Sequence, residues 1–126
     1  MIKKIILLGT GGFIGSNLRY WISVWVSEFV GMYFPYGTLA VNVLGCFILG
    51  FIMIYGTEVI ELNPQIKLFI GTGMLGALTT FSTFSFETIS LIRESSYSLA
   101  ILNILLNIII GLAGVWLGFI VAKALA

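Results

Sequence analysis

The chain has 126 residues, of which 60% are hydrophobic and only 9% are charged, whereas a soluble domain carries about 25% charged residues and could not bury so much apolar surface. Its net charge of +1 provides no basic face for nucleic acid. With no histidine and a single cysteine, the chain lacks the groups for histidine-dependent catalysis, a Cys/His zinc site or an intrachain disulfide. We therefore expect an integral membrane protein that is not an enzyme.

Charged residues divide the chain into four apolar spans. Each span is long enough to cross a bilayer as a helix, which takes about 20 residues, and the joints between the spans are short. Short joints give an up-down-up-down order and bring both termini to one side. The predicted fold is all-α, a single four-helix transmembrane domain over residues 1–126, with spans near 5–27, 36–57, 66–92 and 97–123.

Basic residues differ only slightly between the two predicted sides of the membrane. The side with the termini carries four and the other side at most two: Lys3, Lys4, Lys67 and Lys123 against Arg93 and Arg19. This is a mild bias toward cytoplasmic termini. Because the bias is so weak, a chain of this kind could insert in both orientations. The predicted location is a prokaryotic plasma membrane.

The first span begins after Lys3 and Lys4 in the manner of a signal peptide, but no small-x-small cleavage site follows, so we expect the span to be retained. Its Gly11 and Gly15 are spaced for close helix packing in lipid. Arg19 lies well inside the span. An intramembrane charge usually faces a watery vestibule, where an arginine attracts anions, although a long side chain can also reach the interface.

The second span carries two polar residues on one face. Thr38 and Asn42 are four residues apart, and Gly45 continues the same face. A lone asparagine in a membrane helix commonly bonds a neighbouring helix rather than a ligand. Both interpretations, an interhelical bond and a polar path, stay open on this span alone.

The third span combines glycine with hydroxyl residues at mid-membrane depth. Gly71, Gly73 and Gly76 precede five Ser or Thr residues between positions 79 and 85. Glycine is a poor helix former, and Ser and Thr bond back to the chain. The pattern predicts a break in the helix near Gly76 to Thr80, where unpaired backbone must find protein, water or an ion.

Two aromatic residues and one acid follow the predicted break. Phe81 and Phe84 are three residues apart and share a face, which is typical of packing but also places two rings beside the break. Glu87 lies near the end of the span. Its side chain either reaches the interface or contributes a gating or polar group to an intramembrane path.

The fourth span also carries polar residues on one helix face. Asn103 and Asn107 are followed on the same face by Gly111, Gly114 and Gly118. Three asparagines and a threonine in so small a bundle make an ion path as good an interpretation as interhelical bonding. Small residues at Gly114 and Gly118 also favour close packing.

Three stretches resemble, in order and spacing, the motifs of the Fluc fluoride channels, a family also called CrcB. They are residues 11–20 (GGFIGSNLRY), 37–45 (GTLAVNVLG) and 76–87 (GALTTFSTFSFE). Chain length and the four-span layout match as well, so the resemblance covers the whole chain. The family resemblance implies an antiparallel, dual-topology homodimer with two passive fluoride-exporting pores, each lined by both subunits.

The resemblance also implies individual roles. Asn42 is then the pore asparagine, Phe81 and Phe84 present ring edges to fluoride, and Arg19 lies near a vestibule. The hydroxyl-rich track comprises Thr38, Ser82, Thr83 and the polar positions of the fourth span. A structural sodium ion is implied between the subunits, held by the backbone carbonyls of Gly76 and Thr79. Asn103 and Asn107 depart from the Tyr and Ser of many members.

Two alternative functions, each from another class of protein, were considered. A small four-helix proton-coupled exporter of cationic compounds needs a deeply buried carboxylate, whereas the first span offers only Arg19, which repels cations. A structural subunit without transport activity needs packing residues but no aligned polar stripes. The polar stripes and the motif run both favour the fluoride channel.

Overall fold

The computed structural model describes residues 1–126 and is almost entirely helical. The α-helices are α1 (Ile2–Val30), α2 (Tyr36–Ile54), α3 (Pro64–Lys67), α4 (Gly76–Leu78), α5 (Phe81–Arg93) and α6 (Tyr97–Ala124). Two π-helical segments, Tyr55–Val59 after α2 and Leu68–Leu75 between α3 and α4, complete the helical ranges. Helical residues fill the intervals 5–27, 36–57 and 97–123, and all of 66–92 except Thr79 and Thr80.

Local signals set the helix boundaries. Gly31, with φ +110, ends α1, a conformation that glycine adopts at little steric cost. Asn63 caps α3 by accepting a hydrogen bond from the Gln65 N–H at 2.8 Å, and Pro64 occupies the first helical position. Each signal is a turn residue placed between two apolar segments.

Glycines bring the helices into close contact, as the spacing predicted. A Cβ at Gly11 would lie 2.6 Å from the Phe69 carbonyl oxygen, and one at Gly114 would lie 3.3 Å from the Val43 carbonyl oxygen. The first contact joins α1 to the π-helical segment Leu68–Leu75, and the second joins α6 to α2. Backbone-to-backbone packing of this kind is a main source of helix association in lipid.

Three helical stretches are long and apolar enough to cross a membrane: Tyr36–Val59, Pro64–Arg93 and Tyr97–Ala124. Helix α1 has 29 residues but is less apolar, because it carries Ser16, Asn17 and Arg19 within a single turn. Only 22 of the 126 residues are buried. Most apolar side chains therefore face outward, toward lipid or another chain.

Candidate functional site

The third helical stretch is interrupted at Thr79 and Thr80, as predicted. Thr79 has φ −82 and ψ 156, and Thr80 has φ −152 and ψ 115, so both are extended. The Thr80 N–H donates to Asn42 Oδ1 at 2.8 Å, and Asn42 Nδ2 donates to the Thr80 carbonyl at 3.2 Å. One side-chain amide thus pairs with both backbone polar groups of Thr80 at the break.

Thr80 also begins the next helix. Its Oγ1 accepts a hydrogen bond from the Thr83 N–H at 3.1 Å, which is an N-cap on α5. The same hydroxyl donates to Thr83 Oγ1 at 3.0 Å and lies 3.3 Å from Ser82 Oγ. Because Thr83 Oγ1 accepts this bond, its own proton is free to be donated to another group.

A small cavity of about 200 Å³ opens beside the break. We call it the phenylalanine cavity, and it is lined by Asn42, Cys46, Thr80, Phe81, Phe84, Asn107 and Ile108. The rings of Phe81 and Phe84 are tilted by 55° with centroids 5.6 Å apart. Phe84 is 8% exposed, whereas Phe81 is 80% exposed in the single chain. Four residues predicted for the site therefore meet in one place.

A larger cavity of about 580 Å³ lies between α1 and the break. We call it the arginine cavity; its lining includes Ser16, Arg19, Ser23, Ser27, Glu28, Thr38, Thr80, Thr83 and Glu87. Nine of its twelve lining residues are not hydrophobic, which is unusual inside a membrane-spanning chain. Thr80 lines both cavities, so the two are neighbours at the break.

Glu87 is partly satisfied within the arginine cavity. Thr38 Oγ1 donates to Glu87 Oε1 at 2.7 Å, while Glu87 Oε2 is buried without a hydrogen-bond partner. A carboxylate oxygen only accepts, so the Thr38 hydroxyl is committed to Glu87 in this conformation. Thr38 and Glu87 therefore act as a pair and not as two independent polar positions.

Asn103 lines neither cavity, although it is bonded to Asn107, which lines one of them. Asn107 lines the phenylalanine cavity, whereas Asn103 is 0% exposed and contacts Asn107 and Thr88. Asn107 Nδ2 donates to the Asn103 main-chain carbonyl at 2.9 Å and to Asn103 Oδ1 at 3.0 Å. Asn103 Nδ2 donates in turn to Thr88 Oγ1 at 2.9 Å.

Sequence reasoning missed Thr80 and Thr88 as site residues, and it missed the serines of α1. The serine signal was present: Ser16, Arg19, Ser23 and Ser27 follow steps of three, four and four along one helix face. No spacing rule would have found Thr88, because its partner Asn103 is on another helix.

The backbone at Gly76 and Thr79 provides oxygens suitable for a cation. In a continuous helix the Thr80 N–H would donate to the Gly76 carbonyl and the Thr83 N–H to the Thr79 carbonyl. Here the first donates to Asn42 Oδ1 and the second to Thr80 Oγ1. Both carbonyls therefore lose their helical donors, and carbonyl oxygens are ligands that hard cations prefer.

The fold and the site define a helical, multi-pass membrane protein with a polar path beside a helix break. A family described as "CrcB-like protein, Camphor Resistance (CrcB)" matches residues 6–119. The chain belongs to this family.

Relatives of similar length support the assignment. A protein of Roseiflexus sp. (strain RS-1) named "Fluoride-specific ion channel FluC" is 46% identical over 122 residues, covering 97% of this chain and 98% of that protein. A protein of the same name from Shewanella halifaxensis (strain HAW-EB4) is 47% identical over 117 residues, covering 93% and 94%. One from Clostridium perfringens (strain 13 / Type A) is 44% identical over 120 residues, covering 95% and 94%.

Proposed function

We propose that this chain forms a passive, fluoride-selective channel that exports fluoride across the membrane. One observation supports it above the others: the helix break brings neutral hydrogen-bond donors and two phenyl rings into one intramembrane cavity. The names of its relatives agree with this chemistry.

The phenylalanine cavity suits a small, strongly hydrated anion. A pore must replace the water around the ion with donors, and the Asn42 amide supplies neutral N–H groups, one of them held by Asn107 Oδ1. Phenyl rings carry a positive edge, so Phe81 and Phe84 stabilise an anion without the firm binding that a lysine would cause. Neutral groups of this kind allow the ion to leave as well as enter.

The arginine cavity suits the role of a vestibule. Arg19 attracts anions from the aqueous side, and the Thr83 hydroxyl continues the track toward the break, with Ser82 exposed beside it. Thr38 also lines this cavity and joins the track when it is released from Glu87. Because Thr80 lines both cavities, an ion leaving the vestibule meets the phenylalanine cavity next. Glu87 opposes anion entry when it is ionised. Gating of the vestibule is therefore proposed at the hydrogen bond between Glu87 and Thr38.

We further propose that α1 is the fourth membrane span. At a rise of about 1.5 Å per residue, its 29 residues exceed the bilayer core of about 30 Å. Its polar face lines the arginine cavity, which spares Arg19 contact with lipid. Residues 1–126 then form a single four-helix transmembrane domain.

The active unit is proposed to be an antiparallel homodimer with two pores. Phe81, Ser82 and Thr83 are exposed in the single chain, and polar groups facing lipid are costly, so a second copy is expected to cover them. The small difference in basic residues between the two sides favours insertion in both orientations. Each pore is then lined by residues of both subunits.

A sodium ion between the subunits is part of the proposal. The carbonyls of Gly76 and Thr79, which have lost their helical donors, would hold it. Its positive charge would attract these carbonyls from both subunits and so hold the helix break of one subunit against that of the other. Main-chain ligands make the site insensitive to conservative changes of Thr79. It depends instead on the break and on the antiparallel arrangement.

Efflux from proteoliposomes tests the proposed function. With a potassium gradient and valinomycin, fluoride should leave the vesicles while chloride stays inside, at the same rate with or without a proton gradient. A strict need for a proton gradient would contradict passive conduction, and the absence of any fluoride efflux would favour the exporter of cationic compounds, with which the names of the relatives do not agree. Equal chloride efflux would contradict fluoride selectivity.

A further inference from the structure

A chain of hydrogen bonds runs from α2 through α6 to α5. All of its donors point in one direction. Asn42 Nδ2 donates to Asn107 Oδ1 at 3.0 Å, and Asn107 Nδ2 donates to Asn103 Oδ1 at 3.0 Å. Asn103 Nδ2 then donates to Thr88 Oγ1 at 2.9 Å, and Thr88 Oγ1 donates to the Phe84 carbonyl at 2.8 Å. The chain joins the amide that holds the helix break to the backbone that carries a phenyl ring.

The direction of this chain is fixed at the α2 end. The Thr80 N–H can only donate, so the Asn42 atom that lies 2.8 Å away must be the amide oxygen. The amide nitrogen then faces the Thr80 carbonyl, which can only accept. The two backbone groups of Thr80 therefore fix the orientation of the Asn42 amide.

The direction is fixed independently at the α5 end. The Phe84 carbonyl can only accept, so the Thr88 hydroxyl uses its single proton there. Thr88 Oγ1 must then accept from Asn103, which places the Asn103 nitrogen toward Thr88 and its oxygen toward Asn107. Both ends therefore require the same direction, and no link can reverse alone.

We infer that Asn103 and Thr88 are positioning residues for the Asn107 amide. Thr80 sets which way the Asn42 amide faces, and Asn107, held by Asn103, accepts a bond from the same Asn42 nitrogen beside the phenylalanine cavity. Asn103 is 0% exposed and lines neither cavity, so it acts on an ion only through Asn107 and Asn42. The inference rests on the proposed function, because it assigns these side chains a part in fluoride conduction.

The orientation matters for an anion. Asn42 Nδ2 lies between the Thr80 carbonyl and Asn107 Oδ1, and all three residues line the phenylalanine cavity. A fluoride ion that enters the cavity replaces one of these acceptors and receives an N–H bond. If Asn103 turned its nitrogen toward Asn107, two N–H₂ groups would face each other, and Asn107 would be displaced from the bond that it accepts from Asn42.

Asn103→Leu tests the positioning role directly. Leucine has a similar volume, Asn107 keeps the main-chain carbonyl at position 103, and Thr88 keeps the Phe84 carbonyl, so no buried group is left without a partner. We expect fluoride efflux to fall about threefold or more, within the range that one average hydrogen bond produces. A smaller change would overturn the positioning role.

A double-mutant cycle separates positioning from general structure. Asn42→Ser removes the amide that Asn107 holds, so adding Asn103→Leu in that background should cause no further fall in efflux. Independent structural effects would instead multiply. Multiplicative falls would overturn the inference.

Thr88 supplies a second, matched pair of variants. Thr88→Ser keeps the hydroxyl and should conduct at the wild-type rate, whereas Thr88→Val keeps the shape and should fall as Asn103→Leu does. Equal efflux from both variants would overturn the role of the Thr88 hydroxyl. Absence of wild-type fluoride efflux would overturn the proposed function as well, whereas normal wild-type efflux with unaffected variants would overturn only the positioning role.

Discussion

Helix α2 contacts its neighbours in two different ways. Against α6 it packs through glycine, since a Cβ at Gly118 would lie 2.7 Å from the Phe51 backbone nitrogen. Against the broken helix it uses the Asn42 side chain, which bonds the backbone of Thr80 on both sides. The first contact depends on the absence of a side chain, and the second depends on one amide.

This difference separates stability from function within one helix. Close glycine contacts gain dispersion energy along a whole helix face, and any added atom must push two backbones apart. The amide contact holds an extended segment that offers donors to an ion. Changes in the glycine contact should therefore remove folded protein, while changes at the break should remove transport from protein that still folds.

The largest effect is expected for Gly118→Leu. Its side chain would collide with the backbone of α2 near Phe51, so little folded protein should be recovered from membranes. Gly9→Leu is the matched control on α1, because nothing lies within 4 Å of a Cβ at Gly9, and it should fold normally. Size-exclusion chromatography of the two purified proteins measures the difference; similar yields would contradict the glycine contact.

Phe81→Ile and Phe84→Ile should each lower fluoride efflux almost to the rate of protein-free vesicles. Isoleucine fills similar space but lacks the positive ring edge, so the protein should still fold. Phe86→Ile is the control, since Phe86 is exposed and lines neither cavity. Wild-type efflux from Phe81→Ile and Phe84→Ile would make both rings packing residues.

Asn42→Ser should lower efflux by about tenfold, because a shorter side chain gives up a partly buried hydrogen bond that serves an ion. Asn42→Asp should be slower still, since a carboxylate leaves the Thr80 carbonyl without a donor and repels fluoride. Asn17→Ser is the control, because Asn17 bonds only the Phe13 carbonyl of its own helix. Native efflux from Asn42→Asp would exclude Asn42 from the pore.

The sequence predicted the break because its cause is local. Poor helix formers and hydroxyl residues between Gly76 and Thr80 weaken the helix wherever it lies. It also predicted the meeting of Asn42 with Phe81 and Phe84, through the family resemblance rather than through spacing. The glycine contacts followed from helix periodicity.

Other features depend on the neighbouring helices and were not predictable. Periodicity places Asn103 and Asn107 on one face of α6, but only the packing of α5 decides that Asn103 is buried behind Thr88. The π-helical segments Tyr55–Val59 and Leu68–Leu75 were missed as well. A π-helix changes which residues share a face, so a regular helical count loses its register there.

The central claim is that fluoride passes through the phenylalanine cavity, and Cys46 tests it most directly. Cys46 is the only cysteine, and it lines that cavity. After treatment with a neutral benzyl methanethiosulfonate, with modification of Cys46 followed by mass spectrometry, fluoride efflux should fall in proportion to the fraction modified. Cys46→Ser should be unaffected by the reagent. Complete modification of Cys46 with unchanged efflux would contradict the claim.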